Sequence, residues 1–422
     1  MCGILGVVAP DGKPLGIDQS QLISMRDRMT ARGPDDAGLF LNQNVAFAHR
    51  RLAIRDLAGG TQPWISDDGH CVLVYNGEIY NDSELRQELI QKGHQFRTRS
   101  DTEVVMAAYQ EWGKASLSKL NGMFAFGIYD FRTRSLLLAR DRFGIKPLFL
   151  SEVQQSIVFS SSISAILQHP EIVKAPNFSV ISHYLTTFRI TLGRETVYRG
   201  IWQLMPGELL EFKSGNVQIE KYWDYPETHE NSLNYEETTA ELKAGLSDSV
   251  RKRLVSDVPV GMFVSGGVDS NVLACLVRNE TTAPMIGQCG GGAGDSSDDF
   301  KYAQRCAEHV QFDYGEVQVS ANDYLDAWQQ LLDQYETPVS TPSDVVIFRI
   351  AQELKQHVGV ALGGGRCRRI AVRVRRPTMV GRRLRPQTKN RFWRMDSWSE
   401  SYAVVSTKFN AAIRSRSFSI GS

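Results

Sequence analysis

The sequence lacks paired cysteines, long hydrophobic runs and an excess of charge of either sign, and each absence excludes a class of protein. Its six cysteines form no CxxC pair, which argues against a zinc site or disulfide framework and favours a reducing compartment. No apolar run reaches the length of a membrane span, and the N-terminus lacks the basic lead of a secretory signal. The formal net charge of +1 gives no overall reason to expect a nucleic acid or membrane partner. We therefore expect a cytoplasmic globular protein that binds neither.

The chain divides into regions that differ in the spacing of their hydrophobic residues. Up to about residue 215, apolar or alternating runs broken by turn residues predict β-strands, with a hairpin around residues 132–134. Further on, Leu242, Leu246, Val250 and Leu254 recur every fourth residue, which predicts an amphipathic helix. Strands then alternate with helices, an order typical of a parallel α/β sheet. The sequence thus predicts domains at 2–215 and 235–364, followed by a tail at 365–422.

The N-terminus, MCGILGVV, places a cysteine directly after the initiator methionine. We expect Met1 to be removed, because methionine aminopeptidase accepts a small second residue. Cys2 would then carry both a thiol and a free α-amino group, whose pKa of about 7.7–8 suits it to take the thiol proton and later pass it to a leaving group. Taken alone, a small buried cysteine at the start of a strand is the simpler interpretation.

Five further stretches favour the nucleophile over the buried cysteine. They are RGPDD at 32–36, HRRLAI at 49–54, YNGEIYN at 75–81, SDTEV at 100–104 and RDRFGIKPL at 140–148. Together with MCGI, and in this order, they resemble the class II glutamine amidotransferases, the N-terminal nucleophile glutaminases. The resemblance covers about the first 150 residues and implies an αββα domain that hydrolyses glutamine.

The resemblance also implies a role for individual residues. Cys2 would attack the glutamine amide, and the Asn76 side chain with the Gly77 N–H would stabilise the resulting oxyanion. The implied glutamine-binding residues are Arg51, Asn76, Gly77, Glu78 and Asp101. Among these, Arg51 would pair with the α-carboxylate through its fork of donors, while the two acids would receive the α-ammonium. We interpret His49 as structural, because the α-amine already supplies a base.

A second motif, SGGVDS at 265–270, lies between the apolar stretch PVGMFV and a predicted helix. Backbone N–H groups and the helix dipole can bind phosphate at such a position. The motif lacks the lysine of a Walker A loop, so a different class of nucleotide site is indicated. Its serines supply hydroxyl groups, and Asp269 is a candidate magnesium ligand.

Extended to DVPVGMFVSGGVDS, the motif resembles the ATP pyrophosphatase loop of the asparagine synthetase family. The resemblance implies cofactors ATP and Mg²⁺, cleavage of ATP to AMP and pyrophosphate, and glutamine and aspartate as substrates. Ammonia would pass through an internal channel to an acyl-adenylate. The implied ATP-binding residues are Val264, Ser265, Gly266, Gly267, Val268, Asp269, Ser270, Ile286, Gly363 and Gly364. Glu336 matches an acidic position near the acyl-adenylate, although an exposed loop glutamate would look the same.

The resemblance ends after residue 364, where the family has an acidic run of the form SGEGADE. This chain has GGGRCRRIAV, and Arg366, Arg368 and Arg369 would repel Mg²⁺ at that place. With suitable codons, inserting one G into a frame encoding GEGADELLCGY yields GGRCRRIAVRV, which is the sequence of 364–374. We infer a frameshift in the gene or in its sequencing, and a basic tail that is non-native or disordered.

Two other interpretations stay open at this stage. The same ATP chemistry could amidate another carboxylate, in a peptide or a surface polymer. Alternatively, the chain could be a non-catalytic remnant whose basic tail binds nucleic acid, in which case RNA binding would be sensitive to salt. The sequence also leaves the oligomeric state open, a homodimer being one option.

Overall fold

The β-rich N-terminal region forms two antiparallel sheets in the computed structural model, which describes residues 1–10, 13–226, 233–294, 298–335 and 337–364. Strands are numbered in chain order. The first sheet contains β1 (Gly3–Val8), β2 (Asp36–Leu41), β3 (Val45–Arg51), β8 (Phe149–Val153), β9 (Ser156–Ser160), β10 (Thr191–Leu192), β11 (Glu195–Thr196) and β12 (Trp202–Gln203). Its spatial order is β10-β11-β12-β8-β9-β1-β3-β2, so that β1 lies between β9 and β3.

The second sheet packs face to face with the first. It contains β4 (Trp64–Ile65), β5 (Cys71–Ile79), β6 (Gly122–Asp130), β7 (Ser135–Arg140), β13 (Glu208–Lys213) and β14 (Asn216–Lys221). Its spatial order is β14-β13-β7-β6-β5-β4. Strands β6 and β7 form the predicted hairpin, and Asp130 accepts hydrogen bonds from the backbone N–H groups of Arg132 and Thr133 in its turn.

Helices cover the outer face of each sheet. The helices of this region are α1 (Gln19–Asp27), α2 (Asp82–Gln91), α3 (Asp101–Trp112), α4 (Ser116–Lys119), α5 (Ile163–Ile166) and α6 (Phe178–Thr187). Helices α1 and α5 pack on the first sheet, and α3 packs on the second. One apolar cluster lies between the two sheets and one lies under each helical layer. The predicted αββα arrangement is therefore confirmed.

The apolar run after Cys2 is the buried strand β1. Ile4 and Val8 point into the space between the sheets, whereas Leu5 and Val7 point toward α1. Gly6 is required by close packing, because a Cβ atom there would lie 2.3 Å from the Phe159 ring. A strand buried on both faces needs apolar residues throughout, which explains a run without alternation.

The C-terminal described region is the predicted parallel α/β sheet. Its strands are β15 (Val260–Phe263), β16 (Ile286–Gly292), β17 (Asp313–Val319) and β18 (Val360–Leu362), in the spatial order β17-β16-β15-β18. Its helices are α7 (Tyr235–Arg253), α8 (Val268–Glu280), α9 (Asp299–Val310), α10 (Ala321–Tyr335) and α11 (Pro342–Leu354). All three strand pairings are parallel. Over the described residues, no helix has both the length and the apolar character that crossing a bilayer requires.

Helix α7 differs in one respect from the amphipathic helix that its spacing predicts. Val250 is buried in the core of the parallel sheet, and Leu254 packs against the same core. Leu242 and Leu246, however, are 55% and 39% exposed. The four-residue spacing predicts the helix correctly, but only the C-terminal end of its apolar stripe is covered.

Candidate active site

The predicted glutaminase residues come together because strands alternate their side chains between two faces. On β3, Val45 and Phe47 point between the sheets, so Arg51 lies on that same face at the end of the strand. On β5, the apolar side chains of the inner face give way to Asn76 and then Glu78. Polar residues therefore replace the core at one end of the space between the sheets, and Cys2 precedes β1 at that end.

The Cys2 thiol lies against the main chain that follows Arg51. Its Sγ atom is 3.4 Å from the Leu52 N and 3.7 Å from the Leu52 O. The Cys2 carbonyl accepts a hydrogen bond of 3.2 Å from Arg32 Nε, which gives the RGPDD motif a local function. Cys2 is thus fixed on both its side-chain and its main-chain atoms.

The terminal amine lies in a buried and positively charged environment. The Met1 amino group donates to the Arg32 carbonyl at 3.1 Å. Burial of the amino group, together with the charges of Arg32 and Lys146, lowers its pKa to about 5. The charges of Cys2 and Asp35 oppose this lowering. An amine in such surroundings is neutral at pH 7 and can accept a proton. We expect the same surroundings to act on the Cys2 amine after removal of Met1.

The two candidate oxyanion donors are adjacent on β5. Asn76 is 1% exposed, and its Nδ2 donates to Ser161 Oγ at the long distance of 3.5 Å. Gly77 cannot be replaced without a shift, because a Cβ atom there would lie 2.5 Å from the Tyr75 ring and 2.6 Å from the Met123 carbonyl. A weakly engaged amide next to a glycine N–H is suited to bind an oxyanion.

Arg51 is held by the loop that follows it. Its Nη1 donates to the Leu57 carbonyl at 3.0 Å, and its Nη2 donates to the Asp56 carbonyl at 2.6 Å. A further donation reaches the Arg55 carbonyl at 3.3 Å. Gly60 allows this approach, because a Cβ atom there would lie 2.5 Å from Arg51 Nη2. The loop carbonyls therefore fix the orientation of the guanidinium.

The two candidate ammonium-binding acids have different surroundings. Asp101 begins α3, and its Oδ2 accepts hydrogen bonds from the Tyr75 hydroxyl at 2.7 Å and the Ile79 N–H at 2.9 Å. Burial raises the pKa of Asp101, and these two hydrogen bonds oppose that rise. Glu78 accepts from Arg55 Nη1 at 3.3 Å. Burial and the nearby charge of Asp101 raise the pKa of Glu78 to about 7, against the lowering effect of Arg55.

These surroundings predict a pH dependence of glutamine binding. A carboxyl group with a pKa raised to about 7 carries its charge only above that pH, so Glu78 loses its attraction for the α-ammonium as the pH falls. We expect the KM for glutamine to rise between pH 8 and pH 6, approaching about tenfold per unit at the acid end. Steady-state kinetics at several pH values measure this.

The matched variant is Glu78→Gln, which should have a raised KM and no such rise toward acid pH. His49 cannot produce the effect, because burial lowers its pKa to about 3 and the ring stays neutral throughout. Its Nε2 lies 3.3 Å from the buried Tyr75 carbonyl, in keeping with the structural interpretation of this histidine. Parallel pH profiles for the wild type and Glu78→Gln would contradict the prediction.

The RDRFGIKPL motif supplies a charge that the sequence analysis did not assign. Asp141 is fully buried, and its carboxylate accepts hydrogen bonds from the backbone N–H groups of Phe124, Phe143, Ile145 and Lys146. This cage holds the loop that carries Lys146. The Lys146 ammonium is buried, which lowers its pKa, and it interacts electrostatically with Cys2 and Glu78. Only the fold reveals that this lysine belongs to the site.

The SGGVDS loop has the geometry expected at the carboxyl end of a parallel strand. Ser265 Oγ and Ser270 Oγ are 2.9 Å apart, and the Gly267 N–H donates to Ser265 Oγ at 3.2 Å. Gly267 is the N-cap of α8 and lacks a side chain that could cap the helix. The first turn of α8 therefore opens toward the loop, as a phosphate site requires.

Asp299 and the glycines at 363 and 364 lie next to the SGGVDS loop, which itself contains Asp269. A Cβ atom at Gly266 would lie 2.5 Å from Asp299 Oδ1, so the Asp299 side chain contacts the loop directly. Gly363 approaches Phe263 after β18, and a Cβ atom at Gly364 would lie 3.8 Å from the Asp269 Cβ. Among the described residues, no three His, Cys, Asp or Glu side chains gather into a metal-binding cluster. Asp269 and Asp299 each place a carboxylate at this loop.

Ile286 does not lie with the other predicted nucleotide residues. It pairs with Gly261 at the amino end of the sheet, whereas the loop leaves the carboxyl end. The residue beside the loop is Gln288, whose carbonyl accepts from the Val264 N–H at 3.0 Å. The predicted contact of Ile286 with the nucleotide stays a prediction. Glu336 and the basic tail at 365–422 lie outside the described residues, so their predicted roles stay predictions.

The comparisons with known proteins assign both halves of the chain. The model of the glutamine amidotransferase domain matches residues 1–223, and the model of asparagine synthase matches residues 241–365. The protein is therefore of the class in which a glutamine amidotransferase domain is joined to a domain of the asparagine synthase type. The first match spans more than half of the chain, which therefore belongs to the glutamine amidotransferase family, and its second part is similar to asparagine synthase.

Individual relatives agree with this assignment. The chain is 31% identical over 382 residues to asparagine synthetase [glutamine-hydrolyzing] 3 of Bacillus subtilis (strain 168), an alignment that covers 86% of this chain and 62% of the relative. It is 34% identical over 389 residues to a putative asparagine synthetase of Mycobacterium tuberculosis (strain H37Rv), covering 86% and 59%. The chain thus spans about three fifths of the length of these curated relatives.

Solved structures give a weaker likeness. The glutamine phosphoribosylpyrophosphate amidotransferase from B. subtilis, complexed with ADP and GMP, aligns with 79% of this chain and 92% of its own length. The identity is 14% and the TM-score is 0.39.

Proposed function

We propose that the N-terminal domain hydrolyses glutamine at Cys2, and that the ATP domain of the intact family architecture uses the ammonia to amidate a carboxylate. The observation that supports the first step best is the position of the Cys2 thiol beside Leu52. That position is adjacent to Arg51, at the same end of the two sheets as Asn76 and Glu78. A nucleophile, oxyanion donors and binders for both ends of an amino acid therefore converge.

The proposed chemistry follows from these residues. The α-amine of Cys2 takes the thiol proton, and the thiolate attacks the glutamine amide carbon. Asn76 Nδ2 and the Gly77 N–H bind the oxyanion of the tetrahedral intermediate. The C–N bond breaks as the α-ammonium returns its proton, which releases ammonia and leaves a glutamyl thioester. Water then hydrolyses the thioester to glutamate and restores the thiol.

A cavity of 320 Å³ supports the transfer of ammonia to the second domain. Arg32, Pro147 and Ser161 line it on the glutaminase side, and Tyr335 and Val339 line it on the side of the parallel sheet. Arg32, which lines the cavity, also donates to the Cys2 carbonyl and so links the cavity lining to the residue of the nucleophile. The Tyr184 hydroxyl donates to the Val339 carbonyl at 2.9 Å and joins the two sides.

The second step is proposed from the SGGVDS loop and the names of the relatives. ATP would bind at this loop and adenylate a carboxylate, and ammonia would displace AMP. The relatives named above are asparagine synthetases, which favours aspartate as the acceptor. Asp269 and Asp299 would hold Mg²⁺, which screens the phosphate charge when it is bound. The scattered cysteines add a cytoplasmic location to the proposal.

The test separates the two steps by their products. Because Arg366, Arg368 and Arg369 stand where the resemblance implies acidic residues, we expect the 422-residue chain to release glutamate from glutamine but no AMP from ATP. A chain with the reading frame restored after residue 364 should release AMP, and only when aspartate is present. The readouts are glutamate, AMP and asparagine measured by chromatography.

Each alternative gives a different result. AMP release by the 422-residue chain would contradict the frameshift inference. AMP release from the restored chain without aspartate, or with another carboxylate in its place, would contradict aspartate as the acceptor. Absence of glutamate formation from either chain would contradict the proposed first step.

A further inference from the structure

The loop that holds Arg51 is hydrogen-bonded to the other half of the chain. The Asp257 N–H donates to the Ile54 carbonyl at 3.1 Å, and Asp257 Oδ2 accepts from the Asp56 N–H at 2.7 Å. Asp257 lies in the short connection between α7 and β15. These two hydrogen bonds, to residues two apart in the same loop, fix its position relative to the parallel sheet, and the shorter one involves a charged acceptor.

Asp56 has a conformation that needs such support. Its φ angle is +47°, in the left-handed region that a residue with a side chain rarely adopts. Its carboxylate accepts from the Gly59 N–H at 3.0 Å and the Arg99 N–H at 2.8 Å. Its carbonyl accepts from Arg51 Nη2. The residue whose N–H binds Asp257 is therefore the residue whose carbonyl orients the guanidinium.

The end of α7, just before this connection, contacts the residue that follows β5. The Arg253 guanidinium lies 4.3 Å from the centre of the Tyr80 ring, one residue after the end of β5. The chain then runs from Arg253 through Asp257 into β15 and on to the SGGVDS loop. The segment 253–257 thus contacts both the Arg51 loop and the residue that follows the strand of Asn76 and Glu78, and it continues to the candidate nucleotide site.

We propose that Asp257 is a positioning residue for glutamine binding, supplied to the glutaminase site by the ATP half of the chain. Its bond to the Asp56 N–H holds the main chain of Asp56 in the left-handed conformation, and the Asp56 carbonyl orients Arg51 toward the α-carboxylate of glutamine. Asp257 does not touch the substrate. The proposal deepens the proposed glutaminase function and rests on it for the identity of the ligand.

The experiment compares Asp257→Ala with the wild type in the full chain. We expect the KM for glutamine to rise by about three- to tenfold while kcat changes by less than about twofold, because one exposed charge-assisted hydrogen bond is lost far from the reacting atoms. Asp257→Asn retains an acceptor oxygen and should recover most of the affinity. Asp248→Ala is the matched control, since Asp248 is an aspartate of α7 that pairs with Arg251 and Lys252 and should leave KM unchanged.

Three outcomes would overturn the proposal: an unchanged KM in Asp257→Ala, a fall in kcat alone, or an Asp257→Asn variant as impaired as Asp257→Ala. Isothermal titration calorimetry with glutamine, on each variant in a Cys2→Ala background, measures binding without turnover. It therefore separates failure of the positioning role of Asp257 from failure of the proposed glutaminase function. Absence of turnover by the wild type would count against glutaminase activity. Weakened glutamine binding in Asp257→Ala would still support the positioning role, and equal binding would reject it.

Discussion

Alanine at Cys2 is expected to abolish glutamine hydrolysis, with a loss of more than about 1000-fold in kcat, because the proposed covalent intermediate forms on the Cys2 thiol. Its Sγ contacts the Leu52 main chain at the end of the space between the sheets, where little else would change on truncation. Release of glutamate, measured with glutamate dehydrogenase, gives the rate. Circular dichroism verifies that the variant is folded.

The control for this substitution is Cys306→Ala. Cys306 lies on α9 of the parallel sheet and is a half-buried free cysteine remote from the motifs of the glutaminase site. Its replacement should leave the rate of glutamine hydrolysis within about twofold. Mass spectrometry of the active wild type should show a chain that begins at Cys2. Retained activity in Cys2→Ala, or an intact Met1 in fully active protein, would refute the assignment of the nucleophile.

The site residues that the sequence predicts lie in short motifs, and most of these motifs lie within or next to a single strand. The roles of Arg51 and Asn76 come from the resemblance to the class II glutamine amidotransferases, whereas strand alternation fixes only which residues share a face with them. The hairpin and the order of helices and strands in the second half are local patterns of the same kind. For these elements, near neighbours in the chain decide the structure.

The residues that the sequence analysis missed act across long separations in the chain. Lys146 interacts electrostatically with Cys2 because hydrogen bonds to Asp141 hold the loop between β7 and β8 in place. Asp257 reaches the Arg51 loop only because two domains pack together. Which residue of β16 stands level with the SGGVDS loop is likewise a matter of register, which the pattern of a strand does not state. Each case depends on register or tertiary contact, which composition and periodicity do not specify.

The second large effect is expected at Asn76, where alanine should lower kcat for glutamine hydrolysis by about 100- to 1000-fold with a smaller change in KM. The side chain is buried, and within the described residues its amide nitrogen makes one long contact, 3.5 Å to Ser161 Oγ, so little ground-state structure depends on it. An oxyanion forms only in the transition state, and a donor aimed at it stabilises that state selectively. The split between kcat and KM therefore distinguishes an oxyanion donor from a residue that merely binds glutamine.

Asn81→Ala is the matched control for Asn76→Ala, because it removes the other asparagine of the same YNGEIYN motif. Asn81 Nδ2 donates to the Lys119 carbonyl and its Oδ1 accepts from the Asn121 N–H, so its bonds are structural and lie on the surface. We expect a modest loss of stability and a kcat within about twofold of the wild type. Equal losses of kcat in the two variants would indicate that the motif acts through its fold. A raised KM with normal kcat in Asn76→Ala would move Asn76 from the oxyanion to the binding of glutamine, and would leave the Gly77 N–H as the remaining donor.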